Sequence, residues 1–240
     1  YLASAGLGSR RRCEDYVREG RVRINAQRAE LGARVAPGDR VLLDGKPVAP
    51  VEEKYYLLLN KPAGYTVTKA DPHVKKTVLD LLEGVPFAGL LNPVGRLDKD
   101  TEGLLLLTND GPLAHRLTHP SFEVPRTYEA TVDRKPREEQ LEALRRGVRL
   151  EEGMSAPCEA EVTRIGKGHA VVEITLHEGR KRQVRRMFAG VGLPVLHLRR
   201  IRLGPLRLGG LSLGRWRALS PGEVQQLRAA VGLPPGQRSD

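Results

Sequence analysis

The chemistry of this chain gathers around Asp98. It lies in the string GRLDKDTEGLLLLTNDG (residues 95–111), after Arg96 and Leu97 and before Asp100, Thr101 and Glu102, in a polar turn that runs into an apolar strand. A carboxylate placed this way has three chemical uses. It can attack a carbon, take up a proton, or ligate a hard metal ion. Its plainest role is none of these, because turn aspartates commonly bond their own backbone. On spacing alone that plain role comes first. A nuclease-like metal site from Asp98, Asp100, Glu102 and Asp110 needs oxygen ligands converging on one point, and consecutive acids on one loop are common without a metal. His115 and His119 fall four apart on an expected helix, but a pair without further ligands makes no zinc site. They read as structural or partner-facing. Cys13 and Cys158 form neither a disulfide framework nor a CxxC metal pattern.

The charge around these residues points to a polyanion. Across 240 residues the net charge is +11, and arginine greatly outnumbers lysine, which suits forked contacts to phosphate. Distribution says more than size. From Gly179 to Gly222 there is no acid, while Arg180, Lys181, Arg182, Arg185, Arg186, Arg199, Arg200, Arg202, Arg207, Arg215 and Arg217 all fall there. A merely solvated surface mixes both signs, so this stretch is expected to form a phosphate-binding face. A second basic group, Arg10, Arg11, Arg12, Arg21 and Arg23, lies near the start. No run of about 18 apolar residues is present, so no membrane helix is expected. There is no signal-peptide pattern, and a first residue of Tyr rather than Met suggests a trimmed start. A cytoplasmic protein is expected.

Several elements must position these groups. Ser9 is placed to cap a helix through Glu19, with Cys13, Tyr16 and Val17 on one face and Gly20 closing it. RVRIN alternates like a strand, and PGD and DG bracket the short strand RVLL. The prolines of PVAPVEEK mark a boundary, so residues 1–48 read as one domain, 49–54 as a linker, 55–232 as a second domain and 233–240 as a flexible tail. In the second domain YYLLLNK, GLLLLT, RTYEATV, AVVEITL and LHLRRIRL read as strands. Asp110 with Pro112, and Ser220 with Pro221 and Glu223, are helix starts. Pro136 opens a helix carrying Leu141 and Leu144. Val184, Met187, Phe188 and Val191 make a helical stripe.

The residue strings also carry a resemblance. LASAGLGSRRRCEDYVREGRVRINAQ and VAPGDRVLLDGKPV resemble the alpha-L RNA-binding domain first described in a small-subunit ribosomal protein. GRLDKDTEGLLLLTNDG resembles the GRLDxxTxGLLLLTNDG motif of the rRNA pseudouridine synthases. NKPAGYTV, VPRTYEATV, LHEGRKRQVRRMF and VLHLRRIRLGPLRLGGLSLGRWRAL resemble further motifs of that family, in order. Arg126 departs from it, where many relatives carry lysine. The resemblance implies an α+β fold, with a small N-terminal α/β RNA-binding domain joined to a catalytic domain whose central, mostly antiparallel sheet is flanked by helices.

The resemblance also implies roles. The N1–C1′ bond of a uridine breaks, the base turns over, and C5 joins C1′. No redox step or energy input is required, so no cofactor is implied. Asp98 becomes the essential carboxylate, either as nucleophile or as proton acceptor. It must stay ionised, which calls for a nearby cation; Arg185 is expected to supply it, with Arg180 as rival. Tyr128 would stack on a flipped uracil, and Leu97 would wall the pocket beside Arg96. Arg10, Arg11, Arg12, Arg21, Arg23, Lys181, Arg182 and Arg186 would hold the RNA backbone. The expected partner is ribosomal RNA, a structured stem-loop. LGPLRLGGLSLGRWRALSPGEV resembles the large-subunit, type B members more than the small-subunit ones, which implies 23S rather than 16S RNA. A monomer is expected. A noncatalytic rRNA-binding or ribosome-assembly protein would fit the same fold, but it would have no need of Asp98, Tyr128 and Arg185 together.

Overall fold

The computed structural model describes residues 1–68 and 74–235, which form two units; residues 236–240 of the expected tail lie outside the described residues. The first unit holds Tyr1–Lys54 together with Pro86–Leu91. Its helix α1 (Arg10–Arg18) starts where Ser9 Oγ accepts the amide of Arg12 at 3.2 Å. Beside it lie β1 (Val22–Ile24), β2 (Gln27–Arg28), β3 (Val41–Leu43) and β4 (Lys46–Val48), an antiparallel sheet of order β2-β1-β3-β4. Asp44 and Gly45, both at positive φ, form the two-residue turn between β3 and β4, as right-handed strand twist demands. Leu2, Cys13, Val22, Ala29 and Val41 are its buried core, with Tyr16 and Val17 packed alongside.

The second unit runs through β5 (Tyr56–Lys61), β6 (Asn92–Pro93), β7 (Glu102–Thr108), α2 (Gly111–Thr118), β8 (Arg126–Val132), α3 (Glu138–Arg146), β9 (Arg149–Leu150), β10 (Gly153–Met154), β11 (Glu159–Gly166), β12 (His169–Leu176), α4 (Gln183–Gly190), β13 (Val195–Leu203), β14 (Leu206–Arg207), β15 (Trp216–Ala218) and α5 (Pro221–Ala230). The main sheet has the order β11-β12-β8-β13-β7-β5-β15 and is antiparallel throughout that path except where β13 meets β7. There the two strands run parallel, pairing Arg199 with Glu102 and Arg200 with Gly103. Leu104 to Leu107 are all fully buried. Apolar side chains on both faces mark β7 as a central strand covered on both sides.

Among the described residues, two apolar clusters along this sheet bear on the site. One packs Ala130, Val132, Leu144, Val172, Ile174, Met187 and Phe188, so α3 and α4 bury their stripes there. The other packs Leu58, Leu104, Leu106, Leu113, Leu117, Leu203 and Leu227, under α2 and α5. Asp110 joins the second group: it caps α2 through Leu113 N (3.1 Å) and receives Tyr56 OH (2.9 Å) and Arg228 Nη1 (2.7 Å). No helix among the described residues is long and apolar enough to cross a membrane.

Candidate active site

A cleft of about 340 Å³ opens in the second unit, lined by the Val94–Asp98 turn, the end of α2, Arg126 and Tyr128 of β8, the Leu176–Val184 segment, and Leu198, Arg200 and Leu203 of β13. Asp98, Arg96, Leu97, Tyr128, Arg180, Lys181 and Arg182 all line it. Residues scattered over much of the chain thus meet in one cavity. Leu97 is buried and Arg96 is exposed, so the turn sends one side chain into the wall and the other toward the opening.

The Asp98 turn is held from behind. Lys61, wholly buried at the end of β5, directs its ammonium at the carbonyls of Thr101 (2.7 Å), Pro62 (3.0 Å) and Lys99 (3.4 Å). Gly64 N adds a bond to Lys99 O at 2.8 Å. Burial pulls the Lys61 ammonium down to about 8, against the charges of Glu102, Asp100 and Asp98. Its charged form is therefore kept at neutral pH by carbonyls and acids together. A charged residue closing an otherwise apolar strand, YYLLLNK, is the signal that sequence reading passed over.

The expected ion pair between Arg185 and Asp98 does not form. Arg185 turns to Asp100, with Nε 3.3 Å from Oδ2, Nη2 donating to the Asp100 carbonyl at 3.1 Å and Nη1 to the Val195 carbonyl at 3.0 Å. Arg180, the rival, is tied to Glu178 (3.1 Å) and to the carbonyls of Gly153 and Met154, which anchors the β9–β10 hairpin. Among the described residues the cation within 4.0 Å of Asp98 is Arg182, at 4.0 Å, and it also grips Asp100 through two bonds of 3.0 and 2.9 Å. Arg182 holds the Asp100 carboxyl below the usual carboxylate range. The reason is geometric. Arg182 precedes α4 with left-handed backbone, φ 50°, which throws its side chain over the turn, while Arg185 sits one helical turn further back.

The other three acids of the motif are spent on different partners. Asp100 serves Arg182 and Arg185, Glu102 faces His197 at 2.8 Å, and Asp110 holds Arg228. Among the described residues no group of three or more His, Cys, Asp or Glu side chains is placed to hold a metal ion. His115 and His119 lie against one another and against Phe122, with ring centroids 5.1 to 6.5 Å apart.

The basic residues expected to hold RNA divide in two. Arg21 is clamped by Asp44 and Glu19 and covers the Tyr16 ring, and Arg12 covers the same ring. Arg186 is bidentate to Glu152 at 2.6 and 2.5 Å. Arg23 donates to the Ala26 carbonyl. Arg10, Arg11 and Lys181 are exposed. Arg200 leaves the expected phosphate-binding face altogether, for it is only 2% exposed.

Comparison with known proteins sets this cleft in a lineage. The family profile described as RNA pseudouridylate synthase matches residues 55–190, and the S4 domain profile matches residues 1–41. The chain belongs to the RNA pseudouridylate synthase family. It is 43% identical to a ribosomal large subunit pseudouridine synthase B of Bacillus subtilis, over 95% of this chain and 93% of the relative. It is 44% identical to an RNA pseudouridine synthase of Aquifex aeolicus, over 97% and 94%. A solved pseudouridylate synthase structure superposes with a TM-score of 0.69 at 31% identity, covering 94% of this chain and 96% of the other. The enzyme therefore isomerises uridine to pseudouridine in RNA, and an S4 domain precedes its synthase domain. This family assignment agrees with the α+β fold and with the RNA-binding N-terminal domain inferred from the motifs.

Proposed function

We propose that Asp98 is the catalytic carboxylate of this synthase and that its substrate is a uridine of large-subunit ribosomal RNA, bound by the enzyme as a monomer in the cytoplasm. One observation carries the first part: the Asp98 carboxylate and the Tyr128 ring line a single cleft of about 340 Å³. That volume sits at the small end of ligand pockets and suits one nucleotide rather than a duplex. A uridine within a stem must therefore leave its stack to enter, and an aromatic ring offsets part of that cost. Arg182 gives the carboxylate a nearby positive charge, while Lys61 fixes the turn that carries it. The large-subunit assignment draws on the B. subtilis relative and on the closing LGPLRLGG stretch. Mapping pseudouridines in ribosomal RNA from cells lacking this gene tests it: one site should be lost from 23S RNA. A loss from 16S RNA would move the substrate to the small subunit, and no loss from either would place the target uridine in another RNA.

The S4 domain supplies affinity in this reading. Arg10 and Arg11 stand exposed at the start of α1, with charges free for phosphate. Replacing both with alanine should weaken RNA binding several-fold and flatten the dependence of log K on log salt by about two. Turnover at saturating RNA should stay as it was. Binding titrations at several salt concentrations check this, and an unchanged slope would move the contact elsewhere.

A further inference from the structure

Arg200 is the most buried arginine among the described residues, at 2% exposure, and it lines the cleft. Its Nε donates to the Leu104 carbonyl at 2.8 Å, yet its Nη2 is buried and meets no acceptor. No acid lies within 4.0 Å of it among the described residues. Two other arginines of this unit each have an acid beside them: Arg228 has Asp110 at 2.7 Å and Arg185, whose Nε also lacks a hydrogen bond, has Asp100 at 3.3 Å. A buried, unpaired guanidinium is costly, so its retention in the cleft calls for a ligand that completes it.

Position identifies that ligand. Arg200 is directly opposite Tyr128 across the β8–β13 pair, and opposed residues share one face of a sheet. Both line the cleft, as does Arg126, whose Nη2 is held by the Leu117 carbonyl at 3.0 Å. A base stacked on Tyr128 would present its edge to Arg200. A phosphate, by contrast, stays on the outer path of the RNA strand, beside exposed side chains such as Lys181 and Arg96.

We propose that Arg200 donates from the cleft floor to the oxygens of the detached uracil and stabilises the negative charge that forms there. This rests on the assignment of the cleft as the uridine site. When the N1–C1′ bond breaks, its electron pair leaves with the base and spreads over N1, O2, C5 and O4, whichever way Asp98 assists. Joining C5 to C1′ then expels the C5 proton, and N1 takes one up. Charge on the base exists only between those events. A donor already fixed in the cleft floor costs no reorganisation at that moment.

The test compares Arg200→Met and Arg200→Lys with the parent enzyme, in single-turnover reactions on a transcript of the mapped target region. Arg200→Met should lose about 10²- to 10³-fold in rate, while the dissociation constant of the RNA changes less than about threefold. A second transcript carries 5-fluorouridine, whose electron-withdrawing fluorine stabilises the departing anion by itself; loss of the N1-linked nucleoside is followed. There the penalty of Arg200→Met should shrink by about tenfold or more, in Brønsted fashion. Arg200→Lys should show a smaller loss with the same attenuation, and it decides the matter if the methionine variant fails to fold. Equal penalties on both transcripts, or a loss in binding as large as the loss in rate, would overturn the proposal. Full activity in Asp98→Asn would instead bring down the cleft assignment, a separately visible outcome.

Discussion

Asp98→Asn should lower the rate of uridine isomerisation by at least about 10⁴-fold, the scale on which single essential groups act, while RNA binding stays within about threefold of the parent. The amide has nearly the shape of the carboxylate. It neither attacks C1′ nor accepts a proton at neutral pH, so both chemical roles open to Asp98 are lost together. Stability should hardly move. The Asp98 side chain is 38% exposed, and Arg182 approaches it only to 4.0 Å while keeping two closer bonds to Asp100. No buried partner is stranded by the change. A tritium-release or mass-based assay for pseudouridine, beside a thermal melt, separates chemistry from folding. Retained turnover would remove Asp98 from the reaction.

Gly103→Ala should do the reverse, damaging the fold first and activity as a consequence. Gly103 has φ +105°, and a Cβ there would lie 2.2 Å from the carbonyl oxygen and 2.7 Å from the nitrogen of Arg200. Both obstacles are backbone, so no side-chain rotation relieves them. The residue is in the first pairs between β7 and β13, beside the turn that carries Asp98. Strained backbone costs about 1–3 kcal/mol and forced overpacking a similar amount. Together they reach about 3 kcal/mol or more, which for a chain of this size lowers the melting temperature by roughly 6–12 °C. A melt within a degree or two of the parent would mean that the strands part more easily than this packing implies.

These two positions also mark what a linear reading reaches. Asp98 was found through the string around it, and GLLLLT was read as a buried strand because its residues are apolar on both faces. Helix starts at Ser9, Asp110 and Ser220 were equally plain, since capping is local chemistry. β11 was not seen, because this edge strand, EAEVTRIG, buries only Ala160 and its alternation ends at Val162, where the register shifts. The parallel meeting of β7 and β13 joins segments far apart in the chain, and nothing local announces it. The expectation of Arg185, with Arg180 as rival, missed Arg182 for a related reason. Helical spacing tells which way a residue points from its own helix, but not which of two nearby aspartates it will meet, nor that the residue before the helix takes a left-handed backbone. Arg200 was hidden among arginines, where alternation cannot tell a solvent face from a cleft floor.

The parallel pairing of β7 with β13 has a kinetic consequence. β11 and β12 form a hairpin, and β8 reaches β12 across the shorter segment that holds α3. The β7–β13 contact must wait for a long loop to close, and such closures slow folding. Because the cleft needs the Asp98 turn on one side of that contact and β8, α4 and β13 on the other, it is a late product of folding. A chain still emerging from the ribosome would have most of its hairpins, and no competence to isomerise uridine, until β13 arrives.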